Sequence, residues 1–169
     1  MKLQAARLLA AATVLLAPML ASAAPVPTWD KRIAGAARFK VLKPFDDAAV
    51  LDKETGLVWD RTPSNSTFNW ANAQRHCLGR TVGGRRGWRL PTMEELTTLQ
   101  EPAGPPSLPA VHPFSVSPIF LHWSSTTEAV DPAKAHAASF GAGGTFQVDK
   151  TVGELVWCVR GGHGNDGGQ

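Results

Sequence analysis

An α+β domain, with two helices grouped against antiparallel sheets and long irregular loops between elements, is the fold class this sequence predicts. Three observations carry that prediction. Short strand-like runs occupy both ends of the domain, the two segments with helical spacing and cap residues stand next to each other between them, and six prolines crowd residues 101–118. Strands and helices therefore come in blocks, which excludes an alternating α/β order. The size and composition, 169 residues with 43% hydrophobic and 18% charged, suit one globular domain and argue against disorder, collagen-like repeats or a multi-span membrane protein.

The chain opens like a secretory signal: Lys2 and Arg7 form the charged region, residues 8–20 the apolar one, and Ala21-Ser22-Ala23 the small-residue cleavage site. The apolar run is shorter than the roughly 20 residues that cross a bilayer, so residues 1–23 are expected to be removed and no membrane span to remain. Residues 24–37 read as an N-terminal lead, with Pro25 and Pro27 opposing regular structure. Without Lys2 and Arg7 the charged side chains number 15 basic and 14 acidic. That balance gives no whole-surface field strong enough to imply nucleic acid or an anionic membrane as the main partner, so neither is expected and any basic site is local.

The domain is expected over residues 38–161. Residues 38–42 and 49–52 are strand candidates, and residues 56–59 return after a Lys-Glu-Thr-Gly turn to complete a meander. Asn69 caps a helix in which Trp70, Ala73 and Cys77 recur at helical spacing, with Gly79 just past its end. Thr92 and Glu95 make the capping-box spacing of a second helix, which carries Met93, Leu96 and Leu99 as its apolar stripe and runs to about Gln100. The prolines of residues 101–118 leave a semi-rigid surface loop, equally readable as a functional loop or a tolerated insertion. Strand candidates follow at residues 120–124, 135–140, 145–148 and 155–159, and the Gly-rich tail 162–169 is expected to be disordered. Export also gives meaning to the two cysteines. Cys77 and Cys158 are expected to pair, because metal ligation would need Cys-x-x-Cys or His at zinc spacing and neither is present.

Five blocks in order resemble a known family. They are residues 50–59 (Val-Leu-Asp-Lys-Glu-Thr-Gly-Leu-Val-Trp), Trp70 and Ala73 before Cys77, Gly87-Trp88-Arg89-Leu90-Pro91-Thr92 with Glu94-Glu95-Leu96, Trp123-Ser124-Ser125-Thr126, and Cys158-Val159-Arg160. Together they are similar to the C-terminal domain of Legionella collagen-like adhesins, the Lcl C-terminal domain family. The resemblance implies a C-type-lectin-like fold in which N- and C-terminal strands pair and two helices flank the sheet. It also implies a Cys77–Cys158 bridge and an architectural role for the Trp-Arg-Leu-Pro-Thr block: Trp88 fills core, Pro91 and Thr92 lead into the helix, and Arg89 pairs with a nearby carboxylate. Trp123 belongs to a structural strand in the same reading. Known members bind surface glycans such as sulfated polysaccharides. Here Arg86-Gly87 replaces the acidic residue many members carry before the block, and no Gly-X-Y stalk is present, which favours a free periplasmic or secreted domain over a trimeric adhesin tip.

The clearest chemical feature is residues 79–87, a segment read as flexible, with three Arg and four Gly in nine residues. The guanidinium groups of Arg80, Arg85 and Arg86 suit sulfate, carboxylate or phosphate, while a solubilising loop is the plainer reading of the same residues. No metal site is expected, because His76, His112, His122, His136 and His163 are scattered and the acidic cluster Asp46, Asp47, Asp52, Glu54 lacks a calcium-loop pattern. No cofactor is expected. His122 and Ser124 share a strand face by period two, but no Gly-x-Ser-x-Gly elbow surrounds them, so a catalytic nucleophile is not expected. An exposed Trp would suit stacking on a sugar, and the sequence does not say which of the six it is. The resulting expectation is an exported, non-enzymatic binding domain for polyanionic or cell-surface glycans. Its rival is a structural or partner-binding envelope protein that uses residues 101–118; oligomeric state is left open.

Overall fold

A computed structural model describes residues 33, 35–101, 107–117, 119–141 and 143–161. The signal segment 1–23, Trp29, most of the lead and the tail with His163 lie outside the described residues. The described chain starts with a helical turn, α1 (Gly35–Arg38), and continues through β1 (Phe39–Val41), a 3-10 turn at Lys43–Phe45, β2 (Ala49–Asp52) and β3 (Val58–Asp60). Next come α2 (Trp70–Gly79), α3 (Met93–Thr98), β4 (Leu121–Thr127), β5 (Lys134–Ser139), β6 (Thr145–Asp149) and β7 (Val159–Arg160).

Two antiparallel sheets result. The first runs β1-β2-β3-β7 and the second β4-β5-β6. The last strand does join the N-terminal meander, but it pairs with β3, through Trp59 opposite Val159, and β1 forms the far edge. The segment 155–159 is only partly strand. Leu155 makes a single bridge to His122, and a regular ladder forms at Val159–Arg160 alone. Its continuous apolar character has another cause, which is burial on both faces.

That burial divides the core in two. Ala49, Val156 and Cys158 belong to one cluster with Ala73, Cys77, Trp88 and Trp123, whereas Val50, Trp157 and Val159 belong to another with Met93, Leu96, Leu99 and Phe140. Neighbouring residues of extended chain point to opposite faces, so the first sheet is covered by α2 on one side and α3 on the other. Cys77 and Cys158 are bonded through the first cluster, 81 residues apart in sequence with Cα atoms 5.4 Å apart. Closing a loop of that length stabilises the fold by about 4 kcal/mol in the chain-entropy model.

The helix starts follow the sequence chemistry. Asn69 accepts the Asn72 N–H, and Thr92 and Glu95 satisfy each other's backbone N–H groups in a complete capping box. Two ends differ from expectation: Gly79 is the last residue of α2 with Arg80 as its cap, and α3 stops at Thr98 with Leu99 as its cap. Arg38 is an anchor. Its guanidinium bonds both oxygens of the fully buried Asp52, at 2.8 and 2.6 Å, and also the Thr98 carbonyl, at 2.7 Å. Asp52 in turn accepts the Glu54 N–H and the Thr55 hydroxyl, so one carboxylate fixes both the lead and the turn into β3.

Candidate functional site

The Arg-Gly segment is a tight turn rather than a flexible loop. Val82 and Arg85 exchange both backbone hydrogen bonds, at 3.1 and 3.0 Å, around Gly83 and Gly84, which hold φ of 54° and 71°. Two consecutive positive φ angles define the two-residue hairpin turn for which Gly-Gly is suited. The turn is seated firmly: a Cβ on Gly83 would lie 2.2 Å from the Phe45 Cα, and the Trp88 indole N–H donates to the Arg85 carbonyl at 2.9 Å.

Phe45 thereby organises a basic face. The Arg85 guanidinium carbon lies 4.8 Å from its ring centroid, that of Arg160 lies 5.9 Å away, and Arg86, next to Arg85 in sequence, is exposed. Among the described residues none of these three arginines has a carboxylate partner. The Arg160 Nε is buried without a hydrogen-bond partner. Arg160 closes the Cys-Val-Arg block and had no reading as a binding residue; its signal was position, since β7 is the strand that carries it to Phe45.

Arg80 stands apart from this face. Its Nε and Nη2 both reach Asp60 Oδ2, at 2.6 and 2.5 Å, and Asp60 is almost fully buried at the end of β3. Burial pushes the Asp60 carboxyl up from its ordinary range, and the adjacent Arg80 partly offsets that rise. Arg80 lines a cleft of about 680 Å³ between the segment after β3, the end of α2 and the residues Ser115, Val116, Ser117 and Phe120. His76, also in that wall, is held below its ordinary pKa by burial and then by the Arg80 charge. The Pro-rich stretch is fastened to the cleft by Arg61, whose Nε donates to the Pro113 carbonyl at 3.1 Å and whose own carbonyl accepts the Ser115 N–H at 2.9 Å.

The Trp-Arg-Leu-Pro-Thr block is architectural. Trp88 is 1% exposed, Leu90 and Pro91 are buried, and Arg89 makes a bidentate pair with Glu95 at 2.7 and 2.6 Å while also bonding the Gly161 carbonyl. Trp123 is buried and donates to the Phe68 carbonyl. None of the described tryptophans is free to stack on a sugar: Trp59, Trp88, Trp123 and Trp157 are core, and Trp70 is covered by Lys150, whose Nζ lies 4.1 Å from the ring. The exposed aromatic rings among the described residues are Phe120 and Phe146.

His122 and Ser124 are both fully buried, and so is Trp123 between them, so this strand is packed on both faces. Ser124 Oγ donates to the His136 carbonyl at 2.8 Å and accepts the Thr126 N–H, so its hydroxyl is committed to backbone. Burial pushes His122 down to about 4, against a smaller opposing effect from the Phe120 backbone. Neither ring nitrogen makes a hydrogen bond of acceptable geometry among the described residues. No three His, Cys, Asp or Glu side chains among the described residues stand close enough to hold a metal ion. Asp52, from the acidic cluster, is instead occupied by Arg38.

A comparison with curated proteins gives no match. A comparison with protein families does: the model of the Lcl C-terminal domain matches residues 48–160, well over half of the chain. Among the described residues no helix is long and apolar enough to cross a membrane. The matched span runs from β2 to β7 and takes in both core clusters, the disulfide and the Trp-Arg-Leu-Pro-Thr block, and the chain accordingly belongs to the Lcl C-terminal domain family, a group of adhesin-associated binding domains.

Proposed function

We propose that the protein is an exported, non-enzymatic binding domain that holds polyanionic or cell-surface glycans against Arg85, Arg86 and Arg160. The carrying observation is the Phe45 face. The Arg85 and Arg160 guanidinium groups are gathered there on a rigid hairpin and a core strand, with Arg86 next to Arg85 in sequence and, among the described residues, no acidic side chain paired with any of the three. Forked donors held in fixed positions match sulfate and carboxylate oxygens, and rigid presentation lowers the ordering cost of binding. The signal-like N-terminus and the Cys77–Cys158 bond support export to an oxidising compartment. Arg80 is not part of this reading, because Asp60 occupies it.

A second reading, contact with an envelope protein through the Pro-rich stretch, is favoured by the exposed Val111 within it and Ile119 just after it. One experiment separates the two. The oxidised chain is passed over sulfated, carboxylated and neutral glycan matrices at two salt concentrations, with and without chelator. Retention on the anionic matrices that falls with salt and ignores chelator is expected, as is its loss in the Arg85→Ala, Arg86→Ala double variant. Unchanged retention of that variant would overturn the assignment.

A further inference from the structure

The cleft beside α2 has the chemistry of a second subsite. Its size, about 680 Å³, lies within the range of small-ligand pockets. The fold has already cancelled the charge in its walls: Arg80 is paired with Asp60, and burial keeps both His76 and His122 from protonating readily. A ligand with its own formal charge therefore gains little there. What the walls offer is hydrogen bonding in both senses. Ser115 and Ser117 present hydroxyls, Asn65 a carboxamide, His76 an imidazole, and Arg80 has an Nη1 group with no hydrogen-bond partner among the described residues.

Two further observations narrow the ligand. Phe120, 53% exposed, adds an apolar ring to an otherwise polar wall. His122, fully buried in the same wall, makes no hydrogen bond of acceptable geometry among the described residues and is held neutral by burial, so it closes the wall as an uncharged ring and adds no ion to it. A neutral molecule with several hydroxyl groups around a ring that also has an apolar C–H face meets all of these conditions. Each hydroxyl both donates and accepts, as the walls do, and the C–H face covers the phenyl ring.

We propose that this cleft is a saccharide subsite for an uncharged pyranose ring, with Phe120 against the C–H face and Asn65, His76, Arg80 and the two serines bonding its hydroxyls. The proposal rests on the glycan reading above and extends it: the Phe45 face recognises charge, and the cleft recognises the sugar ring.

The test is a titration of the oxidised chain with neutral tetrasaccharides of glucose, mannose and N-acetylglucosamine, followed by two-dimensional NMR. For at least one of them, the amide signals of Asn65, His76, Ser117 and Phe120 are expected to shift, with an affinity indifferent to salt. Phe120→Ala, at an exposed position, is expected to weaken binding about tenfold, while the Arg85→Ala, Arg86→Ala variant binds as the native chain does. Silence across the three sugars overturns the subsite, and so does equal binding by Phe120→Ala. Retention on a sulfated matrix is measured on the same samples. Retention that persists while the titration is silent rejects the cleft and keeps the basic face; neutral binding without sulfate retention does the reverse.

Discussion

Arg80 and Arg85 stand five residues apart in one basic segment, yet the fold gives them opposite duties. Arg80 meets a carboxylate that β3 has carried into the interior, and two of its nitrogens converge on one oxygen of Asp60. Arg85 sits at the end of a Gly-Gly turn, over the Phe45 ring, with no carboxylate partner among the described residues. The difference lies in what the sheet delivers to each position. A buried carboxylate is costly unless paired, so the fold recruits the nearest arginine to it and that arginine ceases to be available. Arg38 with Asp52 follows the same rule, and Arg89 is likewise claimed by the half-buried Glu95. An arginine-rich stretch thus becomes a binding surface only where no internal acid claims it.

The comparison breaks most visibly at its most buried member. Arg38→Ala leaves the Asp52 carboxylate fully buried without its bidentate partner, and the expected loss is about 3–5 kcal/mol in urea unfolding. A loss under about 1 kcal/mol would show that the pair is dispensable and sink the distinction between claimed and free arginines.

Next comes a buried titratable group that no charge has claimed. His122 has a folded pKa of about 4 against about 6.5 when unfolded. Below 6.5 the unfolded chain takes up a proton that the folded chain refuses until about 4. The stability this group contributes is therefore present above 6.5 and lost as pH falls to about 4, roughly 3 kcal/mol in all. Asp60 acts in the opposite sense: its raised pKa means that its ionised form is disfavoured in the fold, so its contribution grows as pH falls through its own range. The difference between native and His122→Phe unfolding curves isolates the histidine, and parallel pH profiles would refute its buried, neutral state.

Arg80→Ala should cost less than Arg38→Ala, about 2 kcal/mol, because the Arg80 side chain is 33% exposed and water can reach part of the pair. It should also raise the Asp60 pKa further, since both the charge and the hydrogen bond of Arg80 hold that carboxyl down. An Asp60 carbon signal that titrates unchanged in the variant would mean that the two groups are not coupled.

Local chemistry explains how much of this was legible. Asn69, Thr92 and Glu95 act within one helical turn, so their spacing alone predicts the caps that form. The hairpin into β3 and the disulfide were readable for similar reasons, the first from turn residues and the second from having just two cysteines behind a signal-like N-terminus. The pairing of β7 with β3, and the single-bridge character of residues 155–158, were not readable, because hydrophobic pattern reports burial and not which groups exchange hydrogen bonds. The basic segment shows the same limit. Gly83-Gly84 between Val82 and Arg85 was a hairpin signal, but flanks of one residue give no alternation to support it. Asp60 is 20 residues from Arg80, and nothing in the spacing says that they meet. Alternation along the strand relates His122 to Ser124, but it does not say that both faces of that strand are covered, which depends on β5 and Trp157.

The smallest expected effect on stability is also the sharpest test. In the Arg85→Ala, Arg86→Ala variant no buried acid loses a partner, and the one contact removed is an exposed guanidinium over Phe45, worth about 0.5 kcal/mol. The turn itself is held by the glycines, the Val82–Arg85 backbone pair and the Trp88 indole, none of which the substitutions touch. Stability should therefore stay within about 0.5 kcal/mol of the native chain, measured by urea unfolding on the samples that lose polyanion retention. A loss above about 1.5 kcal/mol would place Arg85 and Arg86 with Arg80 as structural residues, and the contrast between the two ends of the segment would disappear.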